Sequence, residues 1–350
     1  MLVLGALLAA HAMPASAAER GPKLTVMTQN LYLGTDLVPI ATAPDLPAFQ
    51  QRTAQGLRNV RATSFPARAR ALARLIDRAD PDLLGLQEVT IWYRSPNGVN
   101  DGYATRSRTV VYDFLPTLLR ELRRRGLSYR VAGSDRQPTD AEASTALGYD
   151  VRFALGNVVL AKRDPDLRIR RHRFRTYDTQ FSINTPGGPV AARRAWVAVD
   201  ASFHGSRFRF VDTHLESEIP ATRAAQAREL VAAGSPLRGR GQKILVGDLN
   251  SDPRGRSGDD PAAYRTVTGF GFRDAWSAGG SGRGLTAGGG NELLRTRGVT
   301  WDERIDFVLL KPALRILDAN VLGSRRRDRT RSGLWPSDHA GVAASFRLRR

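Results

Sequence analysis

Val246-Gly247-Asp248-Leu249-Asn250-Ser251-Asp252 is the stretch that decides the fold of this 350-residue chain. The apolar segment 243–246 runs into a glycine, and an aspartate and an asparagine follow, two positions apart. This pattern predicts a buried β-strand that ends in a tight turn and presents Asp248 and Asn250 at its C-terminal edge. Because Asp and Asn also favour turns for local hydrogen-bonding reasons, the motif alone leaves a purely structural role open.

Polar side chains of the types that perform catalysis lie beside several other predicted strands. Asn30 follows the apolar segment 24–29, Glu88 follows 82–86, and His214 follows 207–212. The pair Asp338 and His339 precedes the apolar segment 340–346. A lone histidine or an Asp-His pair in a loop is more often structural than catalytic. Loops at strand ends can converge while the sheet holds them rigid, so we expect these side chains to form one site.

The rest of the chain alternates between strand and helix patterns. We predict a long loop up to about residue 62, then helices over about 66–79, 109–125 and 221–233. Further strands are predicted at 157–162, 174–181, 194–202 and 305–310. This order predicts an α/β protein.

Composition limits the classes of function. Lys and Arg total 53 against 34 Asp and Glu, giving a net charge of +19, which favours anionic partners such as nucleic acid, phosphate esters or acidic lipid surfaces. A GC-rich genome is an alternative source of the many arginines. The absence of cysteine excludes disulfides, a thiol nucleophile and a thiolate zinc site.

The N-terminus has the pattern of an export signal. The apolar stretch 2–10 is followed by Pro14 and by Ala15-Ser16-Ala17, a small-x-small cleavage pattern. We therefore predict a signal peptide over residues 1–18, a single mature domain over 19–350, and a secreted protein. A membrane-spanning helix is disfavoured, because the apolar core is short and is interrupted by His11 and Pro14.

The motifs are more specific in combination than singly. They are, in chain order, Asn30-Leu31-Tyr32, Gln87-Glu88-Val89, Thr213-His214-Leu215, Gly247-Asp248-Leu249-Asn250, Arg304-Ile305-Asp306-Phe307 and Ser337-Asp338-His339. Their order over nearly the whole mature chain resembles the endonuclease/exonuclease/phosphatase superfamily, which includes deoxyribonucleases, abasic-site endonucleases, sphingomyelinases and inositol polyphosphate 5-phosphatases. The resemblance implies a four-layer α/β sandwich of two mainly antiparallel β-sheets flanked by helices.

The resemblance also implies a metal site and a set of catalytic roles. Glu88, with Asn30 beside it and Asp338 completing the site, would bind Mg²⁺, with Mn²⁺ or Ca²⁺ as alternatives, since hard cations prefer oxygen ligands. The resemblance further implies that Asp306 orients His339 and that Asp248 positions the attacking water or shares the role of base. His214 would lie across the phosphate, Asn250 would bind the phosphate, and Asn157 would contact the substrate. Whether Asp248 or His339 is the general base is left open.

Departures from the motifs of individual subfamilies reduce the number of candidate substrate classes. Tyr32 stands where abasic-site endonucleases carry an aspartate, and the segment before Gly247 lacks the tryptophan of inositol 5-phosphatases. A metal-dependent phosphodiesterase acting on DNA or RNA is the leading hypothesis. A sphingomyelinase-like phospholipase C acting on membrane lipid and a small-molecule phosphatase are alternatives, as is a non-catalytic binding protein. Nothing indicates an obligate protein partner.

Overall fold

A computed structural model of the chain describes residues 21–255, 260–288, 294–295 and 300–350. The signal peptide predicted for residues 1–18 lies outside the described residues. The strands are β1 Lys23–Asn30, β2 Leu83–Arg94, β3 Thr109–Asp113, β4 Tyr129–Ser134, β5 Thr139–Ala143, β6 Val151–Lys162, β7 Leu167–Thr176, β8 Phe181–Thr185, β9 Gly188–Ala192, β10 Ala195–Phe203, β11 Ser206–His214, β12 Gln242–Asp248, β13 Arg273–Asp274, β14 Asp306–Lys311, β15 Arg315–Leu322 and β16 Gly341–Arg347. The α-helices are α1 Val38–Ala41, α2 Leu46–Ala62, α3 Phe65–Ala79, α4 Phe114–Arg124, α5 Pro220–Val231, α6 Ala262–Gly269 and α7 Ala275–Gly279. Across the described ranges, no helix is long and apolar enough to cross a membrane.

Two large β-sheets form the centre of the protein. The first has the order β15-β16-β1-β2-β6-β4, with β3 paired to β2 and β5 to β6, and the second has the order β13-β14-β12-β11-β10-β7. In each sheet one central pair is parallel, β1 with β2 and β11 with β12, while the other pairings are antiparallel. A separate hairpin joins β8 to β9.

Helices cover the outer faces of both sheets. Because successive side chains of a strand point to opposite faces of the sheet, the core is divided into layers. Val26 of β1 and Val246 of β12 lie in the apolar core between the sheets. Met27, the next residue of β1, points the other way and packs in a second core with residues of α3 and α4. A third core joins β11, β12 and β14 to α5 and α6. The predicted four-layer α/β sandwich is confirmed.

The topology brings the predicted functional segments to one edge of the sandwich. The parallel pair β1 and β2 ends together at Asn30 and Gln87, and the pair β11 and β12 ends together at His214 and Asp248. β14 runs antiparallel to β12 and therefore starts at this edge, with Asp306 opposite Asp248. β16 likewise starts beside the end of β1.

Gly247 allows the second sheet to turn at this edge. Its φ is +140°, and a Cβ atom there would lie 1.9 Å from the carbonyl oxygen of Thr213 on the neighbouring strand. Any side chain would therefore collide with backbone, which explains a glycine directly before the Asp248 turn.

Three sequence predictions about secondary structure are wrong. The strand predicted at 174–181 is interrupted, because β7 ends at Thr176 and β8 begins only at Phe181. The segment predicted as a loop up to residue 62 contains the 17-residue helix α2, whose N-cap Asp45 accepts a hydrogen bond from the backbone N–H of Ala48 at 2.8 Å. The glycine within α2 and the many polar residues concealed its apolar face, which buries Phe49 and Leu57. The helix predicted from residue 109 begins at 114, because β-favouring residues of 109–113 pair with β2.

Candidate active site

Asn30 and Glu88 lie side by side at the ends of β1 and β2. The side-chain amide of Asn30 donates to Glu88 Oε1 at 3.2 Å and to Asp248 Oδ2 at 3.1 Å, so it links the two sheets. Glu88 has a φ of +53° at an irregularity in the pairing of β2 with β6, and its Oε2 accepts from the backbone N–H of Leu33 at 2.7 Å. This left-handed backbone is uncommon for glutamate and occurs where the carboxylate is held between Asn30 and Leu33.

The turn at Asp248 positions the site residues that the second sheet supplies. Asp248 Oδ1 accepts from the backbone N–H of Asn250 at 2.9 Å, and Asn250 itself has a φ of +47°. The Asn250 amide lies 3.1 Å from His214 Nε2 and donates to the carbonyl of Leu215 at 3.0 Å. The sequence motif therefore forms a local hydrogen-bonded turn and also holds functional side chains against one another.

His339 and Asp306 form a close pair in this cluster. His339 Nδ1 lies 2.9 Å from Asp306 Oδ2 and 3.7 Å from Asp248 Oδ2. Burial disfavours the charged imidazole, but Asp306, Asp248 and Asp338 together outweigh burial and raise the pKa of His339 well above its ordinary value. The contact through Nδ1 orients the ring and leaves Nε2 for another partner.

His214 has the opposite electrostatic environment. It is buried, and Arg194 Nη1 lies 3.0 Å from its Nδ1 and 3.2 Å from its Nε2. Burial, followed by the positive charges of Arg194 and His339, lowers the pKa of His214 well below its ordinary value. His214 is therefore neutral near neutral pH, and the two histidines of the site differ in charge.

The carboxylates of the site fit a divalent cation. Burial and the neighbouring Asp306 raise the pKa of Asp248 to about 7, and burial raises that of Asp338 to about 6, with Glu88 adding to the effect. One buried oxygen of Asp306, Oδ1, has no hydrogen-bond partner in the described part of the chain. Several carboxylates crowded together in a buried site are the kind of oxygen ligands that Mg²⁺ prefers.

Two overlapping groups of side chains could hold this cation. Ligand atoms of Asp248, Asp306 and His339 lie within 4.8 Å of one another. The predicted group of Asn30, Glu88 and Asp338 adjoins it, because Asn30 bonds both Glu88 and Asp248. Since Nδ1 of His339 is already paired with Asp306, the oxygen-only group suits a hard cation better.

Arg68, which sequence analysis missed, holds two catalytic loops together. Its guanidinium is fully buried and donates to the carbonyls of Leu31 and Pro336, at 2.5 and 3.2 Å, and of Tyr32 at 2.9 Å. Burial lowers its pKa to about 10, so it remains charged. Arg68 therefore ties the segment after Asn30 to the segment before Asp338. An arginine among other arginines of an amphipathic helix gives no sequence sign of this role.

Ser337 and Thr286 are two further positioning residues that were missed. Ser337 Oγ donates to the carbonyl of Asn30 at 2.8 Å and lies 3.1 Å from Asp338 Oδ1. Thr286 Oγ1 accepts from the backbone N–H groups of Ile305 and Asp306, at 3.1 and 3.2 Å. Thr286 lies in a glycine-rich stretch, where its distance in sequence from Asp306 hides the contact.

Asn157 lies in the buried surroundings of the site. Its side-chain amide donates to the carbonyl of Ala195 at 3.1 Å, and the hydroxyl of Thr213 donates to the same carbonyl at 3.1 Å. This contact anchors the strand next to Arg194. Contact of Asn157 with substrate stays a prediction.

Comparison with known proteins gives a family and a fold. The model of the Endonuclease/Exonuclease/phosphatase family matches residues 27–339. Three solved structures are similar to this chain. An endonuclease/exonuclease/phosphatase family protein from Leptotrichia buccalis has 15% sequence identity and a TM-score of 0.55, over 93% of this chain and 100% of that one. A mannosyl-6-phosphatase from Bacteroides thetaiotaomicron has 16% identity and a TM-score of 0.54 (92% and 99% covered), and a humanized D. rerio TDP2 has 15% identity and a TM-score of 0.52 (93% and 99% covered). No curated protein matches the chain. At these identities the structural likeness concerns the fold alone.

Proposed function

Since the chain belongs to the endonuclease/exonuclease/phosphatase family and is a metal-dependent phosphoesterase, we propose that it is an exported, Mg²⁺-dependent phosphodiesterase of nucleic acid. The observation that carries this proposal is the pairing of His339 with Asp306 next to a cluster of carboxylates, with His214 3.5 Å from Asp248 and Arg194 beside His214. A base, a cation site and phosphate-binding donors are the groups that phosphodiester hydrolysis needs.

Glu88, Asn30 and Asp338 are the proposed residues of the Mg²⁺ site. When bound there, Mg²⁺ would supply positive charge to a phosphate oxygen and offset the charge that develops in the transition state. Leu33 holds the Glu88 carboxylate through its backbone N–H, and Ser337 holds Asp338, so both carboxylates are oriented before the substrate arrives.

His339 is the proposed general base. In the neutral imidazole, Nδ1–H donates a hydrogen bond to Asp306, and Nε2 can accept a proton from the attacking water. The neighbouring carboxylates favour the charged imidazolium, and a cation bound to them would offset this effect and favour the neutral base. The surrounding carboxylates make this imidazole more basic than a free histidine. Asp248 accepts from the backbone of Asn250 and from the side chain of Asn30, and we assign it to orienting the water and His339.

His214, Asn250 and Arg194 are the proposed phosphate-binding groups. Because His214 is neutral, it suits a hydrogen bond to a nonbridging oxygen better than protonation of the leaving oxygen. Arg194 contributes the positive charge on this side. The Arg194 side chain is only 13% exposed, and its guanidinium lies 3.7 Å from Glu216 Oε2 and 3.2 Å from the hydroxyl of Ser217, which fix its orientation.

Replacing Arg194 with glutamine is expected to lower kcat/KM by about 10²-fold, because one charge-assisted donor to the phosphate is lost. It should also raise the pKa of His214, since one of the causes that lower it is removed. Steady-state kinetics and the pH profile of kcat/KM measure both effects. Arg193→Gln is the matched control: Arg193 is exposed and adjacent, so it should behave as wild type. Equal kinetics for the two variants would remove Arg194 from the site.

The preference for nucleic acid is supported by the net charge of +19, because phosphate contacts supply most nonspecific affinity for DNA and RNA. The test is hydrolysis of plasmid DNA, RNA, sphingomyelin vesicles, a sugar phosphate and bis-p-nitrophenyl phosphate by the mature protein. Chelator-sensitive cleavage of DNA or RNA would support the proposal. Turnover of vesicles alone or of the sugar phosphate alone would replace it with a phospholipase C or a phosphatase.

Export is supported by the apolar stretch 2–10 and the cleavage pattern Ala15-Ser16-Ala17. Full-length protein produced in a bacterial host should accumulate outside the cytoplasm without its apolar N-terminal segment, as N-terminal sequencing would show. Cytoplasmic protein that retains residues 1–18 would contradict export without touching the catalytic proposal.

A further inference from the structure

A second concave site lies on the outer face of the α3–α4 layer. It is a pocket of about 590 Å³ between α3, the end of α4 and the loop 330–332. Its charged lining consists of five arginines and one glutamate: Arg70, Arg74, Arg124, Arg125, Arg331 and Glu121. We refer to this feature as the arginine pocket. Its volume is in the range of pockets that hold small ligands.

The arginine pocket is separate from the catalytic cluster. Arg70 and Arg74 lie four residues apart on one face of α3, whereas Leu72 and Leu75 lie on the face that packs against the first sheet. No hydrogen bond or ion pair among the described residues joins a lining side chain to Asn30, Glu88 or His339.

The positive charge of the arginine pocket is largely uncompensated. Arg124 pairs with Glu121 at 2.7 Å, and Arg125 pairs with Asp77 at 2.6 Å. Within the described ranges, Arg70, Arg74 and Arg331 have no carboxylate partner. Arg74 donates only to backbone carbonyls, of Arg70, Asp328 and Arg329. Burial lowers its pKa, and the nearby Arg125, Arg78 and Arg331 lower it further, while Asp328 opposes them only in part, so the guanidinium groups around Arg74 repel one another.

Several guanidinium groups around one cavity select for a particular ligand chemistry. A planar guanidinium can bind two phosphate oxygens at once, and five such groups around one cavity offer more donors and more positive charge than one phosphate can match, which favours an anion with several phosphates. The cavity is compact, so a small ligand fits it better than an extended chain. We propose that the arginine pocket binds a compact polyanion with two or three linked phosphate groups.

Calorimetric titration of inorganic tripolyphosphate into the metal-free mature protein tests the proposal. Arg70 and Arg331 are both exposed, so the double variant R70Q/R331Q keeps the fold, which thermal unfolding checks. We expect its affinity for tripolyphosphate to fall about tenfold or more, because two charge-assisted contacts are lost. The control is R168Q/R170Q, which removes two exposed arginines of β7 and the same charge. It should bind as wild type does.

Three results would overturn the proposal. One is equal affinity of R70Q/R331Q and R168Q/R170Q for tripolyphosphate. Another is equal affinity of wild-type protein for orthophosphate and tripolyphosphate. The third is weakened binding of duplex DNA in R70Q/R331Q with unchanged tripolyphosphate affinity, which would indicate a surface for a nucleic-acid backbone instead.

A measurement on the wild-type protein keeps the test independent of the variants. Tripolyphosphate should protect Arg70 and Arg331, but not Arg168 and Arg170, from phenylglyoxal, with the modified sites read by peptide mass spectrometry. Modification of all four at unchanged rates would overturn the proposal. Neither measurement depends on turnover, so both remain valid if the proposed nuclease activity fails.

Discussion

Replacing His339 with alanine is expected to lower kcat by about 10³-fold, because the attacking water loses its general base. The pair with Asp306 at 2.9 Å is lost with the ring. KM should change little, because the proton transfer takes place in the transition state and contributes little to ground-state binding. Hydrolysis of bis-p-nitrophenyl phosphate at saturating Mg²⁺ measures both constants.

His204→Ala is the control for this variant. His204 is a surface histidine whose side chain is 51% exposed and lies 3.3 Å from Asp166. It precedes the start of β11, whereas His214 lies at the other end of that strand. Its removal should leave kcat unchanged. If His339→Ala retained wild-type kcat, the base would have to be another group, and Asp248 would be the next candidate.

Replacing Arg68 with methionine is expected to cost about 3–5 kcal/mol of the free energy of unfolding, because several buried carbonyls lose a charged hydrogen-bond donor and are left unsatisfied. The carbonyls of Leu31, Tyr32 and Pro336 would lose their donor. The loops after Asn30 and before Asp338 would then be free to separate. A displacement of about 1 Å should lower kcat/KM about 10²-fold even where the variant is folded. Urea unfolding and steady-state kinetics measure the two effects.

Two variants show whether the geometry of the guanidinium matters. Arg120→Met replaces an exposed arginine of α4 and should be close to wild type in both measurements. Arg68→Lys keeps the charge but has one donor atom in place of three, so it should recover little of the lost activity. Full activity in Arg68→Lys would mean that charge alone, without the planar fork, positions the loops.

Much of the site could be predicted from sequence because strand ends mark it. Asn30, His214 and Asp248 each follow an apolar segment, and a sheet brings such ends to one edge whatever the intervening loops do. The motif order then indicated the four-layer sandwich. The local sequence was sufficient to predict these site residues, because each functional side chain is adjacent in the chain to the strand that positions it.

The residues that were missed act over long distances in sequence. Arg68 bonds Pro336, 268 positions away, and Arg194, which immediately precedes β10, contacts His214 at the end of β11. Their local patterns are those of ordinary surface arginines, since burial and partner are set by tertiary packing. Helix α2 was missed for a related reason: Asp45 and Pro47 mark its start, but a polar majority obscures its apolar face.

The most direct test of the central claim is Mg²⁺ titration of bis-p-nitrophenyl phosphate hydrolysis by chelator-treated protein, wild type beside Glu88→Gln. Glu88 bonds Asn30 and Leu33 and supplies a carboxylate to the proposed cation site. We predict no turnover without metal, recovery on adding Mg²⁺, and an activity lowered by about 10²-fold or more in Glu88→Gln, with a higher Mg²⁺ requirement. Hydrolysis that persists in chelator, or equal Mg²⁺ dependence in both proteins, would contradict a metal-dependent site built on Glu88.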